Sequence, residues 1–430
     1  MGNEMAGLNK PDINTVDDVQ RYILSFIAPA TNRHARVTFR QLLADLDHPE
    51  IATKAIHITG TNGKGSTTAM LYNGLRAAGF RTAAYLSPDV LDFRERWQVD
   101  GDLVSKDLLV AATRELAAKT THINPADTDL TEFEVKTLLA FLIARRSDVD
   151  YHCIEVGIGG KFDATNVIPA PAAAIITSVG ADHADVLGET IRDVAYHKVG
   201  IVKAGTGVVG IGRITGEARD IILERAAHLS LPVVDATELD PVTTSIPGQH
   251  MAANAALVLA VLGKIVPGNV DISKVRAAVS QTILPGRMQT IPVDGKVLVF
   301  DGAHNAAAAD LLAATIKQTY KGLRSVHAVV AHTGTHDGIA FANALAPALT
   351  SVIVTVIPDR GQEPKPVADT YLHAGVPVAV VAHPVDAVRH AMEGAAAGDV
   401  VIVTGSFYLA GVIRKYLPDT YSPAICTLGD

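Results

Sequence analysis

The sequence of 430 residues predicts an α/β fold with two successive parallel-sheet domains. Short apolar runs of strand length alternate with helical patterns in both halves of the chain, as in sheets covered on both faces. A turn containing Pro and Gly, TILPGRMQT at 282–290, separates the halves. A glycine-rich loop, GTNGKGST at 60–67, joins a strand-like run to a helical one. We therefore predict an N-terminal domain over 1–283 and a C-terminal domain over 284–430.

The N-terminal half contains the signals of a parallel sheet with crossover helices. Apolar residues recur at helical spacing in 15–46, and further helical segments lie at 134–146, 189–200 and 251–263. Continuous apolar runs predict five strands, namely AIHIT (55–59), TAAYLS (82–87), YHCIEVG (151–157), AAIITSVG (173–180) and GVVGIG (207–212).

The C-terminal half repeats the alternation of strands and helices. Five more strand-like runs follow the turn, namely KVLVFDG (296–302), VHAVVAH (326–332), SVIVTVI (351–357), PVAVVA (377–382) and VVIVTG (400–405). Their number and spacing predict a second, doubly wound domain of Rossmann-like type.

Composition and charge limit the classes of partner. Hydrophobic residues make up 48% of the chain and charged residues 19%, as in proteins that bury substantial cores. The net charge of −8 and the lack of long basic runs argue against nucleic acid. No apolar stretch approaches the roughly 18–20 residues that span a bilayer, and the N-terminus lacks a signal-peptide pattern. We therefore expect a cytoplasmic protein that binds small molecules, with neither nucleic acid nor a membrane as partner.

The glycine-rich loop has the parts of a phosphate-binding site. Its glycines allow backbone N–H groups to approach phosphate oxygens, and the following helix directs its positive end at the anion. Lys64 would bridge the β- and γ-phosphates, while Ser66 or Thr67 would face Mg²⁺. The spacing departs from the strict P-loop, because Gly65 follows the lysine. The alternative interpretation is a βα turn with an exposed lysine. The candidate phosphate-binding residues are Gly60, Thr61, Asn62, Gly63, Lys64, Gly65, Ser66 and Thr67.

Polar residues also follow several predicted strands, where ligands collect in a doubly wound sheet. Ser87, Glu155 and His183 occupy such positions and could jointly hold Mg²⁺ near the loop. The alternative for His183 is a loop histidine that makes ordinary hydrogen bonds. Glu155 lies within an apolar run, where a carboxylate is costly unless it is paired or bound to metal. Composition alone makes Lys198 a helix-end cation that complements the helix dipole.

Together, these motifs resemble the folylpolyglutamate synthase and dihydrofolate synthase family of the Mur-ligase superfamily. The matching segments run in family order and cover most of the chain. They are HITGTNGKGST (57–67), LSPDVLDFRERWQVDG (86–101), TEFE (131–134), IEVGIGGKFDATNVI (154–168), TSVGADHADVLGETI (177–191), HKVGIVKAG (197–205), LPGR (284–287), FDGAHN (300–305) and VTGSFYLAG (403–411).

The resemblance implies an N-terminal P-loop-type ATPase domain and a C-terminal Rossmann-like glutamate ligase domain, with the site in the cleft between them. It implies a monomer that uses ATP and Mg²⁺. The implied reaction has two steps: a pterin- or folate-type carboxylate attacks the γ-phosphate of ATP, and the amine of L-glutamate then attacks the acyl phosphate. Such chemistry depends mostly on positioning and charge neutralisation.

The resemblance also implies roles for individual residues. The implied catalytic residues are Lys64, Glu155, His183 and Lys198. The implied magnesium ligands are Ser66, Ser87, Glu155, His183 and, when carbamylated to N6-carboxylysine, Lys198. Asn254, Arg287 and Asp301 match positions that contact adenine, phosphates and ribose. His304 and Ser406 match positions implicated in glutamate binding.

Each of the later residues also has an ordinary structural interpretation. Asn254 could cap a neighbouring loop, and Arg287 could form a surface ion pair of little energetic value. Asp301 could form a strand-end turn. His304 could be an ordinary loop histidine, and Ser406 the N-cap of a helix.

Some positions depart from the family pattern. Asp89 and Asp92 stand where the family usually has apolar, His or basic residues, in a loop directed toward the pterin or folyl substrate. The stretch 213–250 is short and leaves little room for the β-hairpin that the family often carries. Three hypotheses therefore stand: a folate-type glutamate ligase, a sibling amino-acid ligase acting on a non-folate carboxylate, and an inactive nucleotide-binding protein.

Overall fold

The computed structural model describes residues 12–26, 36–125, 127–181, 183–322, 325–334 and 337–414. Part of the predicted helical segment, 27–35, and the end of the predicted second domain, 415–430, lie outside these residues. Two sheets organise the described chain. The strands of the first sheet are β1 (Lys54–Thr59), β2 (Thr82–Tyr85), β3 (Trp97–Val99), β4 (Asp102–Leu103), β5 (Tyr151–Glu155), β6 (Ala173–Ile176), β7 (Val209–Ile211) and β8 (Val233–Asp235).

The first sheet has the strand order β4-β3-β2-β5-β1-β6-β7-β8. Neighbours from β2 to β8 are parallel, whereas β3 and β4 are antiparallel additions at one edge. Its helices are α1 (Val16–Leu24), α2 (Val37–Asp45), α3 (Lys64–Ala77), α4 (Lys106–Lys119), α5 (Glu132–Arg146), α6 (Ala184–Leu187), α7 (Ile191–Val199), α8 (Glu217–His228), α9 (Gln249–Ile265) and α10 (Ile272–Ser280).

The helices bury the sheet on both faces, as the continuous apolar strands require. Helix α3 packs against α9 and α10, and their apolar residues form one core with the strands beneath them. Helices α1, α4 and α5 pack together over a second core on the opposite face. Among the described residues, no helix is both long and apolar enough to cross a membrane.

The second sheet has six strands in the order β13-β12-β11-β14-β10-β9, of which only β9 is antiparallel to its neighbour. Its strands are β9 (Gln289–Val293), β10 (Lys296–Phe300), β11 (Val326–Val330), β12 (Ser351–Val354), β13 (Val378–Val380) and β14 (Val400–Thr404). Its helices are α11 (Ala306–Thr319), α12 (Gly338–Leu345), α13 (Pro364–His373), α14 (Pro384–Gly394) and α15 (Phe407–Arg414).

The α/β prediction is confirmed, and each of the ten predicted strands is present. The sheets are mixed rather than purely parallel, because the short strands β3, β4 and β9 are antiparallel edge strands. These strands and β8 lack the long apolar run that marks a central strand. The described parts of the predicted helical segment 15–46 contain two helices. Helix α1 ends at Leu24, and α2 begins after Arg36, whose φ of 42° is not helical. The domain boundary at 283/284 stays a prediction.

The order of the strands brings the candidate site together. Strand β1 lies between β5 and β6, with Ile58 opposite Glu155 and Thr59 opposite Ile176. Because parallel strands end at the same edge, the loops after these three strands meet there. Strands β10 and β14 are likewise adjacent, so the loops that follow them lie side by side.

Candidate active site

The glycine-rich loop is fixed by the segment that follows β6. The backbone N–H of Thr61 donates to the Ser178 carbonyl at 3.0 Å, and the N–H of Asn62 donates to Ser178 Oγ at 2.8 Å. Thr177 Oγ1 donates to the Asn62 carbonyl at 2.6 Å. A Cβ added to Gly60 would lie 1.9 Å from Thr177 Oγ1, so a side chain there would displace this contact. These three hydrogen bonds to the segment after β6 therefore hold the loop in place.

Gly63 is the residue before α3 and has a φ of 81°, which favours glycine. An added Cβ would also lie 2.7 Å from Asn254 Nδ2, so the Asn254 amide lies directly against the loop. Helix α3 begins at Lys64, which places Ser66 and Thr67 in its first turn. The Thr67 N–H donates to the Gly63 carbonyl at 3.0 Å, and the positive end of the helix dipole faces the loop, where it favours an anion.

The Lys64 ammonium is held over the same loop. Its Nζ donates to the carbonyl of Gly60 at 2.9 Å and to that of Thr61 at 3.3 Å. These contacts place a positive charge beside the backbone N–H groups that would receive phosphate. The combination of a cation, a helix N-terminus and close-packed glycines is suited to binding polyphosphate.

Glu155 ends β5 and is only 3% exposed. Its Oε2 accepts a hydrogen bond from the Ser87 N–H at 2.9 Å, and a Cβ added to Gly65 would lie 3.4 Å from this oxygen. Burial raises the pKa of the Glu155 carboxyl, while the Lys64 charge and the Ser87 N–H oppose that rise. A buried carboxylate beside the phosphate loop is stabilised by a bound cation.

The donors around Glu155 fit a magnesium ion. Within the described part of the chain, Ser66 Oγ and Thr67 Oγ1 are buried and have no hydrogen-bond partner. Ser87 and His183 line the same cavity as Glu155. No group of three or more His, Cys, Asp or Glu side chains gathers around one point among the described residues. A site with few protein ligands suits Mg²⁺, which usually binds one or two protein groups together with water and substrate phosphates.

Lys198 lies in the last turn of α7 and is 2% exposed. The end of this helix packs against the loop after β5. The N–H of Lys161 donates to the His197 carbonyl at 2.7 Å, and a Cβ added to Gly160 would lie 3.1 Å from the Lys198 carbonyl. Lys198 is not among the described residues that line the cavity. Helix α7 therefore packs against the loop that follows Glu155, but the Lys198 side chain is not part of the described cavity wall.

Two residues of opposite charge face this site from the second domain. The Arg287 guanidinium lies over the ring of Phe407, with 3.9 Å between its central carbon and the ring centroid. Burial lowers the pKa of Arg287, and the Asp301 charge opposes that change. Asp301 accepts hydrogen bonds from the N–H groups of Met288 and Ala303, each at 2.9 Å. Burial raises the pKa of Asp301, against the effect of the nearby guanidinium.

The two residues matched to glutamate binding have different environments. His304 lines the cavity, and its Nδ1 lies 2.9 Å from the Gly302 carbonyl, so this nitrogen carries the proton. Ser406 is 2% exposed and accepts a hydrogen bond at Oγ from the Tyr408 N–H at 3.1 Å. This contact is the one expected of a helix N-cap. Ser406 is not among the described residues that line the cavity.

A cavity of about 220 Å³ connects these groups. Its polar wall includes Thr61, Asn62, Gly63, Lys64, Ser87, Glu155 and His183 from the first domain, and Arg287, Asp301 and His304 from the second. One end is mostly apolar, and its residues were not identified from the sequence. They are Ile246, His250, Met251, Ala308, Leu311, Leu312 and Thr315. Burial, with the nearby Arg287 charge, lowers the pKa of His250 to about 4, so this imidazole is neutral at pH 7.

Comparison with known proteins identifies the family. Residues 58–212 match the Mur ligase middle domain, and residues 286–407 match the Mur ligase glutamate ligase domain. The Bacillus subtilis dihydrofolate synthase/folylpolyglutamate synthase is 33% identical over 317 residues, which cover 66% of this chain and 72% of that protein. The chain belongs to the folylpolyglutamate synthase and dihydrofolate synthase family of Mur ligases.

Solved structures of this family have the same architecture. The Mycobacterium tuberculosis folylpolyglutamate synthase complexed with ADP is 27% identical, with a TM-score of 0.82 over 93% of this chain and 97% of that one. A bifunctional folylpolyglutamate synthase/dihydrofolate synthase with Mn, AMPPNP and L-glutamate bound is 26% identical. Its TM-score is 0.80, and the match covers 94% of this chain and 98% of that one.

The two acidic residues that depart from the family pattern have local partners. Asp89 Oδ1 lies 2.5 Å from Arg96 Nε. Asp92 accepts a hydrogen bond from the Arg94 N–H at 2.8 Å, and its other oxygen lies 2.7 Å from Arg94 Nη2. Both carboxylates therefore stabilise the loop after β2. Stretch 213–250 contains α8 and β8 but no hairpin, as the sequence indicated.

Proposed function

We propose that this chain is an ATP-dependent, ADP-forming ligase that joins L-glutamate to the carboxylate of a folate or dihydropteroate. One observation carries the proposal: a single cavity places the phosphate loop and Glu155 of one domain opposite Arg287, Asp301 and His304 of the other. The named relatives are synthases of this kind, and the solved neighbours hold ADP, AMPPNP, Mn and L-glutamate.

The two ends of the cavity suit the two ends of ATP. We assign the adenine to the apolar end, which Met251 and Leu311 line, with Asn254 lying against the phosphate loop nearby. Asp301 would accept hydrogen bonds from the ribose. The triphosphate would then extend across the loop Gly60–Thr67 toward Lys64, because backbone N–H groups and the ammonium converge there.

In the first step, an oxygen of the acceptor carboxylate forms a bond to the γ-phosphorus while the bond to the ADP oxygen breaks. Lys64 and Arg287 supply positive charge on two sides of the transferring group. Mg²⁺ held by Ser66, Ser87, Glu155 and His183 would neutralise phosphate charge, and a carbamylated Lys198 would hold a second ion. The products of this step are an acyl phosphate and ADP.

In the second step, the amine nitrogen of L-glutamate attacks the acyl carbon, loses a proton and displaces inorganic phosphate. We assign the glutamate to the His304 side of the cavity, beside the end of β14 that carries Ser406. Because both domains contribute to the wall, closing the cleft would exclude water that would otherwise hydrolyse the acyl phosphate.

Glutamate-dependent release of ADP tests the proposal directly. Purified protein is assayed with Mg²⁺ and ATP against dihydropteroate and a panel of reduced folates, each with and without L-glutamate. We expect ADP release that requires both the acceptor and L-glutamate, and which acceptors react will separate dihydrofolate synthase from folylpolyglutamate synthase activity. The matched control is Lys64→Ala, which retains the apolar end of the cavity. Absence of glutamate-dependent ADP with every acceptor would contradict the proposal.

The two rival functions predict different results in the same assay. A ligase for a non-folate carboxylate would be inactive with the whole folate panel; of the departures that suggested it, Asp89 and Asp92 each pair with a neighbouring arginine. An inactive nucleotide-binding protein would bind ADP without turnover.

We also propose that the protein works as a monomer in the cytoplasm. The phosphate loop and Glu155 already meet Arg287, Asp301 and His304 within a single chain, as a monomeric enzyme requires. Light scattering coupled to size-exclusion chromatography, with and without ATP, measures the oligomeric state. A dimer that dissociates into inactive monomers would contradict the proposal.

A further inference from the structure

Phe407 is the first residue of α15 and lines the cavity beside Arg287. We propose that Phe407 is a positioning residue that holds the Arg287 guanidinium toward the γ-phosphate through its aromatic face. This inference rests on the proposed binding of ATP in the cavity, and it assigns Phe407 a function that its apolar side chain does not suggest.

The ring of Phe407 is packed closely against glycine backbone. A Cβ added to Gly302 would lie 2.0 Å from Cε1 and 2.1 Å from Cζ of the ring, and one added to Gly286 would lie 3.2 Å from Cδ1. The ring is 7% exposed and therefore has little freedom to move. The guanidinium of Arg287 thus rests on a support that is itself well packed.

The Phe407 ring is in direct contact with the Arg287 guanidinium. Within the described residues, Arg287 makes no side-chain hydrogen bond and no salt bridge, although Glu155 and Asp301 are near enough to affect its pKa. Both oxygens of Asp301 instead accept backbone N–H groups. Stacking engages the face of a guanidinium and leaves its five N–H donors available at the edge. An ion pair would have used donors that phosphate oxygens need.

A guanidinium held in this way should discriminate between triphosphate and diphosphate. Without the ring, Arg287 would sample more orientations, and the γ-phosphate would lose a fixed partner while the α- and β-phosphates kept the loop. A purely structural role for Phe407 would instead weaken both nucleotides equally. The ratio of the ADP dissociation constant to the AMPPNP dissociation constant therefore separates the two roles.

The decisive variant is Phe407→Leu, which keeps an apolar side chain but removes the aromatic face. In calorimetry with Mg²⁺, AMPPNP binding should weaken more than ADP binding. The ratio of the ADP dissociation constant to the AMPPNP dissociation constant should therefore fall by about tenfold, as expected for loss of a desolvated cation–π contact. Phe407→Tyr and Phe407→Trp should keep most of the ratio. The matched control is Tyr408→Leu, since Tyr408 is the next residue and its ring lies 4.3 Å from Arg360 outside the cavity wall.

A second perturbation acts on the ring through the neighbouring glycine. Gly302→Ala should push the ring away from its position and lower the same ratio, which keeps the inference testable if Phe407→Leu does not fold. In an Arg287→Met background, Phe407→Leu should have no further effect on the ratio. An unchanged ratio in folded Phe407→Leu or Gly302→Ala protein would overturn the inference. Because nucleotide binding needs no acceptor, this outcome is distinguishable from failure of the proposed ligase activity.

Discussion

Replacing His57 by glutamine should reduce the loss of stability that the first domain suffers in acid. His57 lies in β1 and is fully buried. Its Nε2 lies 2.8 Å from Thr165 Oγ1, and that hydroxyl donates to Asp163 Oδ1 at 2.6 Å. Because Thr165 gives its proton to the carboxylate, Nε2 must donate to Thr165, and the imidazole is neutral. Burial, with a smaller effect of the Lys203 charge, lowers the pKa of His57 to about 3.

The size of the effect follows from the two pKa values. Between pH 6.5 and 3 the unfolded chain binds a proton at His57, whereas the folded protein does not. Stability contributed by this group is therefore complete above pH 6.5 and falls as the pH decreases through that window. Each pH unit corresponds to about 1.4 kcal/mol, so the loss at pH 5 is about 2 kcal/mol. The depressed pKa has the sign expected for a base that is buried in its neutral form.

Urea unfolding at pH 7 and pH 5 measures this loss. Trp97 is the single tryptophan and is buried in the first domain, so its fluorescence reports on the domain that contains His57. The decrease in the free energy of unfolding from pH 7 to pH 5 should be about 2 kcal/mol smaller in His57→Gln than in the unmodified protein. His122→Gln removes an exposed histidine and should leave the decrease unchanged. Equal decreases in the His57 variant and the unmodified protein would refute the reasoning.

Three further predictions concern the site. Lys64→Ala should lower kcat/KM for ATP by about a hundredfold or more, measured by ADP release, if the ammonium meets the transferring phosphoryl group; a change of less than tenfold would exclude that role. Lys198→Ala should abolish turnover, with partial recovery in acetate if a carbamate is needed, and full activity without acetate would exclude the role. Gly60→Ala should weaken ADP binding in calorimetry, because its Cβ would lie 1.9 Å from Thr177 Oγ1. Gly263→Ala meets no atom within 4 Å and should bind ADP normally.

The polar site residues at strand ends were accessible from the sequence because their pattern is local. A glycine-rich loop between a strand and a helix predicts phosphate binding, and a carboxylate within an apolar run predicts a compensating charge. The adjacency of β1, β5 and β6 then places Glu155 beside the loop. Lys198 shows where local pattern is insufficient, because its helix is joined to the Glu155 loop while its side chain lies outside the cavity wall.

The apolar part of the site could not be identified in this way. Met251 and Leu311 are helix residues with the same spacing as ordinary core positions, and only the approach of α9 to α11 makes them a cavity wall. The edge strand β9 was missed because it is half exposed and contains a proline. The pairing of Asp89 and Asp92 with neighbouring arginines was likewise visible only in the structure, and their effect on the acceptor stays a prediction.

The sequence by itself determined the α/β class, the family, the phosphate loop and the charged residues that face it. These features depend on residue types at short, fixed spacings along one strand–loop–helix unit. Only the tertiary structure decided that Arg287, Asp301 and His304 line the cavity whereas Ser406 and Lys198 do not. The contact of Arg287 with Phe407 joins distant parts of the chain and needs the bare backbone of Gly302 beside the ring. Contacts of this kind depend on how two sheets are placed in space, which no local spacing encodes.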